Sequence, residues 1–244
     1  MKKYPRTEKY DDKWIHDNWM GPHPLWLLED LCEHMDLRPG MKVLDMGCGK
    51  GLTSVFLAKE YDVIVFANDL WISATDNLKR FEEAGVSDKV FPIQAEAHAL
   101  PYADGFFDAV ISIDSYHYYG TSESYLPSHF AKLVKPGGQL GIVVPGLVRE
   151  FEKGFPQSLE TYWDAEMFTF HSKDWWRNLW QKTGLVDVTA CYNISEPKEI
   201  WYPWAKWSKV HMNFNDLEFL EADTNNDLAL IAMVAKKTAE RNKA

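Results

Sequence analysis

The stretch from Val43 to Gly51 reads VLDMGCGKG, and its reading decides the fold. Val43 and Leu44 close a short apolar run that follows the turn signal Arg38-Pro39-Gly40. Beyond Asp45, glycines stand at alternate positions, Gly47, Gly49 and Gly51, and Leu52 to Ala58 then reads as a helix. Glycine supplies positive φ and removes the Cβ that would hold a ligand away from the backbone. A strand that breaks into such a turn and restarts as a helix is shaped for a ligand that touches bare main chain. A plain turn would not need alternate glycines beside a strand-end carboxylate. The dinucleotide fingerprint G-x-G-x-x-G requires glycine at position 52, where Leu52 stands, so a nicotinamide dinucleotide is the weaker ligand.

Outward from this turn, strands and helices alternate. The pattern predicts strands at Lys42 to Asp45, Val63 to Ala67, Val90 to Gln94, Phe107 to Ile113 and Gln139 to Val144. Helices are expected from the glycine turn to about Glu60, over Ser73 to Ala84 with Gly85 as the stop, and over Ser122 to Val134 before the Lys135-Pro136-Gly137-Gly138 turn. Such alternation means an α/β protein with a doubly wound, mostly parallel sheet. The regularity ends after position 145. Residues 146–170 and 195–226 read as aromatic-rich insertions around a helix at Ser172 to Thr183 and a strand at Leu185 to Ile194, and Leu228 to Lys236 is the last strand. Residues 1–37 form an N-terminal segment with a helix after Pro24, either a lid or plain packing. The expectation is a single domain, 1–244, with two inserted caps.

Composition narrows the function. The net charge is −10, with 36 acids against 26 bases and no basic run that would track phosphates, so nucleic acid is an unsuitable partner. The longest apolar run, Leu228 to Ala235, is far short of a membrane span, and the N-terminus lacks the apolar core of a signal peptide. Cys32, Cys48 and Cys191 form no CxxC pair and cannot all pair, which fits a reducing cytoplasm. No metal-ligand spacing is present, so no metal site is expected. Oligomeric state is open between monomer and homodimer. Aromatic residues are 14% of the chain and cluster in the two insertions, at Phe168, Phe170, Trp175 and Trp176 and again at Trp201, Tyr202, Trp204 and Trp207. Aromatic faces bind a cationic amine or stack on a flat ring, although most of these residues also serve simply to glue the caps to the core.

The D-x-G-x-G-x-G turn resembles motif I of the class I S-adenosylmethionine (SAM)-dependent methyltransferases. The run Glu96-Ala97-His98-Ala99-Leu100-Pro101-Tyr102 is similar to a second segment of that family, with Glu96 in place of an Asp. With the strand-two acid and the KPGG turn these motifs fall in family order over Asp36 to Val144, in relatives that act mostly on small molecules, as in the ubiquinone/menaquinone and phosphoethanolamine or glycine methyltransferase groups. The resemblance implies a Rossmann-like, seven-stranded sheet with an antiparallel last strand, helices on both faces and SAM as cofactor. It also implies a cofactor site along the glycine loop, Asp45, Gly47, Cys48, Gly49 and Gly51. Ligands of such sheets lie outside the carboxyl ends of the strands. There Asp69 is placed for the ribose hydroxyls, Leu70 and Trp71 for the adenine faces, Glu96 and Ala97 for the adenine edge, and Asp114 for the methionine end. A sulfonium is already an activated methyl donor, so the protein mainly aligns the nucleophile, and a base is needed only if that nucleophile arrives protonated. His117 is the candidate base, with Tyr118 as the alternative if the register slips by one; packing is the competing role. His23 and His171 are expected to be structural. The expected activity is methyl transfer to a small molecule, with an amine as one option. A macromolecular acceptor, a non-catalytic SAM-binding module and an NAD-dependent oxidoreductase are the alternatives.

Overall fold

In the computed structural model, which describes residues 3–239, the apolar runs pair into one seven-stranded sheet. Helices α1 (Asp12–Asn18) and α2 (Pro24–Cys32) precede β1 (Lys42–Met46), α3 (Leu52–Tyr61), β2 (Ile64–Asp69), α4 (Ala74–Glu83), β3 (Val90–Gln94) and β4 (Phe107–Ile113). Then follow β5 (Val134–Leu147), α5 (Lys173–Gln181), β6 (Val186–Asn193), α6 (Pro197–His211), α7 (Asp216–Ala222) and β7 (Leu228–Lys237). The order is β3-β2-β1-β4-β5-β7-β6, parallel from β3 through β5, with β7 inserted antiparallel between β5 and β6. This is the doubly wound sheet expected, with the antiparallel closing strand. No described helix is long and apolar enough to cross a membrane.

Successive side chains of a strand point to opposite faces, so a central strand reads as one continuous apolar run. In β7, Leu228, Leu230, Ala232 and Val234 enter the core shared with α2, α3 and α6. Ala229, Ile231, Met233 and Ala235 enter the core on the other face, among Tyr116, Phe130, Trp176 and Trp180. The longest apolar run of the chain is therefore a strand covered on both sides. Strand order reverses direction between β1 and β4, whose carboxyl ends diverge into a crevice, and the register sets Asp45 beside Ile111 and Asp69 beside Gln94.

Three segments differ from expectation. The helix expected over Ser122 to Val134 is a single wide turn, Leu126–Phe130, followed by a short 3₁₀ turn, Ala131–Leu133. Pro127 has no N–H to donate there, which disfavours a regular helix. The KPGG turn survives as a bulge inside β5: the β4 register jumps from Phe107↔Val134 to Ala109↔Gln139, looping out residues 135–138. The second aromatic insertion is helical, α6 with Pro203 inside it and then α7, so amphipathic packing rather than irregular chain fills this cap.

The first described residues of the chain are clamped to α2. Buried Glu29 accepts the N–H groups of Arg6 and Thr7 at 2.8 Å and the Thr7 hydroxyl at 2.7 Å. Tyr4 stacks on Trp26, which also stacks on His23, and His23 Nδ1 caps α2 by accepting the Trp26 N–H at 3.3 Å. His23 is structural, as expected, and burial pulls its pKa down to about 4.

Trp180 lies fully buried in the second core. Trp180→Ala is expected to lower unfolding free energy by about 3–5 kcal/mol in urea titration, whereas Val210→Ala, at a position 78% exposed, should stay within about 0.5 kcal/mol.

Candidate active site

The glycine turn leaves no room for side chains. Gly47 and Cys48 both donate their N–H to the Asn68 carbonyl at 2.9 Å, and Gly49 donates to Asp69 Oδ2 at 2.8 Å. Gly47, Gly49 and Gly51 have φ of 77°, 54° and 84°. A Cβ on Gly47 would overlap Ser115 Oγ, one on Gly51 would overlap the Phe81 ring, and one on Gly49 would lie 3.0 Å from Met20 Sδ. Both the backbone angle and the close approach demand glycine.

Gly47, Cys48 and Gly49 line a cavity of about 190 Å³ together with Asp69, Leu70 and Trp71. Glu96, Ala97 and Asp114 complete the expected cofactor residues on its wall, and the candidate Tyr118 lines it as well. Two expected residues are not there. Asp45 is fully buried behind the loop, where Oδ2 accepts the Thr53 and Ser54 hydroxyls at 2.6 Å, tying β1 to the first turn of α3. Its Oδ1 has no partner among the described residues, and burial pushes the carboxyl up to about 6. Gly51 is the N-terminal cap of α3 and packs on Phe81 instead of lining the cavity. These two residues shape the loop from behind, because the helix that follows claims them.

Asp69 ties two loops together. Its Oδ1 accepts the N–H groups of Trp71 at 2.8 Å and Ile72 at 2.9 Å, in addition to the Gly49 bond at Oδ2. A carboxylate offers about four lone-pair sites, so roughly one remains for a ligand hydroxyl in this arrangement. Trp71 is 69% exposed and meets the Tyr118 ring edge-on at 6.2 Å, an open platform beside the cavity. Glu96 accepts from the His98 N–H at 2.9 Å and pairs with the His98 ring, which holds its carboxyl below the usual range.

The roof of the cavity comes from the N-terminal segment, read from the sequence as either a lid or plain packing, at residues that the reading did not single out. Met20, Gly21 and Pro22, just after α1, line it, and Lys50 Nζ bonds the Asp17 carbonyl at 3.1 Å to join roof and glycine turn. The same three residues, with Asp114 and Tyr118, also line a second cavity of about 620 Å³. Aromatic side chains of Phe170, Trp201, Trp204 and Phe219 form much of its wall, beside the carboxylates Asp114, Asp164, Glu166 and Asp216. No lysine or arginine is among its lining residues. Trp201 Nε1 donates to Asp216 at 3.2 Å. Other aromatics expected near a substrate serve packing instead: Trp176 is buried in the second core, and Trp175 stacks on His171 with centroids 3.6 Å apart. The three cap carboxylates were overlooked in the sequence, although they stand inside the aromatic stretches that drew attention.

His117 lies on the wall of this second cavity, 2% exposed, with Nδ1 lacking a partner among the described residues. Burial pulls its pKa down to about 3, so the ring is neutral and a weak base at ordinary pH. Tyr118 packs on it at 4.0 Å, and burial first, then the Asp114 charge, pushes the phenol up. Asp114 stands at the end of β4 with φ 52°, a left-handed angle uncommon for a residue with a side chain. Its N–H donates to the Val143 carbonyl at 2.8 Å, and its carboxylate presses on Gly21, where a Cβ would overlap Oδ2. Burial and, secondarily, Asp216 push its carboxyl up to about 8.

The comparisons with known proteins agree with this geometry. The methyltransferase domain family matches residues 43–138. Methyltransferase GfsG of Streptomyces halstedii is 32% identical over 117 residues, covering 48% of this chain and 42% of that protein. The ubiquinone/menaquinone biosynthesis C-methyltransferase UbiE of Yersinia pestis bv. Antiqua is 30% identical over 154 residues, 62% of this chain and 57% of that one. The chain thus spans about half the length of these curated relatives. The solved phosphoethanolamine N-methyltransferase 2 of Haemonchus contortus, in complex with SAM, superposes with a TM-score of 0.73 at 18% identity, covering 98% of this chain and 60% of that one. Residues 43–138 thus carry a methyltransferase domain, on the fold of the class I SAM-dependent enzymes. SAM is the cofactor of the class, and the cradle that a Cβ would fill, with Asp69 at its side, fits such a ligand.

Gly47→Ala forces a methyl group onto Ser115 Oγ at φ 77°. Calorimetry should show at least about tenfold weaker S-adenosylhomocysteine binding, with unfolding free energy lowered by about 1–3 kcal/mol. For Asp114 the sign runs the other way. A carboxyl whose folded pKa is raised contributes stability that is present below its unfolded value, about 4, and lost as pH rises through about 8. Asn is neutral and tolerates left-handed φ. The melting temperature of Asp114→Asn should therefore exceed wild type, with a gap that widens from about pH 4 to 8 and then levels off.

Proposed function

We propose that the protein transfers a methyl group from SAM to a small-molecule amine bound in the second cavity. The observation that carries this reading is the junction of the two cavities. The glycine-turn cavity and the aromatic, acid-lined cavity share Asp114, Tyr118 and the Met20 to Pro22 roof. A donor held on one side of that partition meets an acceptor held on the other, which is the alignment that methyl transfer requires. The second cavity has the size usual for small ligands, within roughly 300–1,000 Å³, and is concave rather than a flat protein-binding face. Its aromatic faces and carboxylates suit a cation, by ring contact and by charge. Phosphoethanolamine N-methyltransferases, which this chain resembles in fold, carry an amine acceptor in their name. The free thiols of Cys32 and Cys48, both buried, favour the cytoplasm as the place of action.

A screen with methyl-labelled SAM over amines, thiols, phenols, carboxylic acids and a peptide and RNA pool tests the reading. Amines are expected to take the label first; labelling confined to the polymer pool would overturn the small-molecule assignment. In parallel, Asp69→Ala should weaken S-adenosylhomocysteine binding at least about tenfold, because the bonds to Gly49, Trp71 and Ile72 go with it. Unchanged affinity would move the cofactor away from β2.

A further inference from the structure

Asp114 is the one acid among the described residues that lines both cavities. Its half-buried carboxylate sits against the backbone of Gly21 in the roof and makes no hydrogen bond to a described residue. A carboxylate at a left-handed strand end that faces both cavities keeps its lone pairs for a ligand. His117 Nδ1, also without a partner and on the same wall, is a second waiting acceptor or donor. Deeper in the cavity stands Asp216, and Asp164 and Glu166 lie exposed toward its mouth. The cavity offers no cationic side chain to any anionic group of a ligand.

We propose that Asp114 receives the ammonium group of the acceptor and takes its proton before methyl transfer, and that the acceptor carries no carboxylate or phosphate. This rests on the methyltransferase reading above and gives the acceptor its charge. The step balances as follows. An N–H proton passes from the ammonium to the Asp114 carboxylate, leaving a neutral amine and a carboxylic acid. The freed nitrogen lone pair forms the new C–N bond while the C–S bond of the sulfonium breaks with its electron pair retained on sulfur. The product is a methylated ammonium beside a neutral thioether, and Asp114 then releases its proton to solvent.

The alternative base is poorly matched. A ring as acidic as His117 cannot hold a proton drawn from an amine, whereas a carboxyl with a pKa near the working pH both accepts and returns one. Burial and the Asp216 charge on α7 raise the Asp114 carboxyl, and Asp164, Glu166, His117 and Tyr118 face the same cavity. Across the cofactor cavity, Asp69, Glu96, Tyr119 and Lys50 share its other wall.

The test uses the full chain, SAM, and a set of aralkyl monoamines and aliphatic diamines, each paired with its carboxylate-bearing or phosphate-bearing counterpart. The anion-free amines should show kcat/KM at least about 100-fold higher than their partners, the size expected when a buried charge is left unpaired. For the best amine, kcat/KM should rise with pH through about 8 as Asp114 ionises. Asp114→Asn should abolish that limb and lower kcat/KM for the amine about 100-fold or more at saturating SAM. Asp216→Asn, which removes the neighbouring charge that raises Asp114, should shift the limb to lower pH, and this second variant reads the proposal independently of the first. A preference for anion-bearing or neutral acceptors, or a limb that survives Asp114→Asn and ignores Asp216→Asn, overturns the proposal. Protein that binds S-adenosylhomocysteine but methylates no amine would also overturn it while leaving the cofactor reading standing. Failure to bind S-adenosylhomocysteine would remove both.

Discussion

The structure depends on a turn that has no space for a Cβ. At Gly47 to Gly51 the chain passes between β1 and α3 with Ser115, Met20 and Phe81 pressed against successive glycines. Each neighbour comes from a different part of the fold: the end of β4, the N-terminal segment and α4. The turn is therefore where the sheet, its first flanking helix and the roof are brought into register. Asp45 and Asp69 hold it from two sides, Asp45 by anchoring α3 and Asp69 by accepting backbone N–H groups from both loops. Carboxylates here organise main chain first, and the cavity wall is the result.

Local chemistry explains what was legible in the sequence. The glycine spacing, the strand ends at Asp69 and Asp114, and the Ser172 cap of α5 are each encoded within a few residues, and all appear where expected. The continuous apolar run of β7 was legible too, since a strand covered on both faces has no polar alternation. The role of Asp45 was not legible. Whether a strand-end acid faces forward or backward is decided by Thr53 and Ser54, and their orientation depends on the burial of α3 under the N-terminal segment. The second cavity was least legible, because its wall joins residues near positions 20, 114, 165, 202 and 216, which no spacing rule relates.

The two cavities differ in charge, and that difference divides the labour. In the first, Asp69 and Glu96 are already engaged in internal bonds, and only Asp114 is not. The second keeps four carboxylates among aromatic rings with no opposite charge in its lining. Carboxylates toward a mouth attract a cation from solution, and rings hold its apolar body.

The roof has a further consequence. Met20, Gly21 and Pro22 line both cavities, so one tripeptide bounds both spaces. The same tripeptide presses Gly21 on Asp114 and Met20 on Gly49, so a substitution that shifts it alters the shape of both cavities and the support of the glycine turn together.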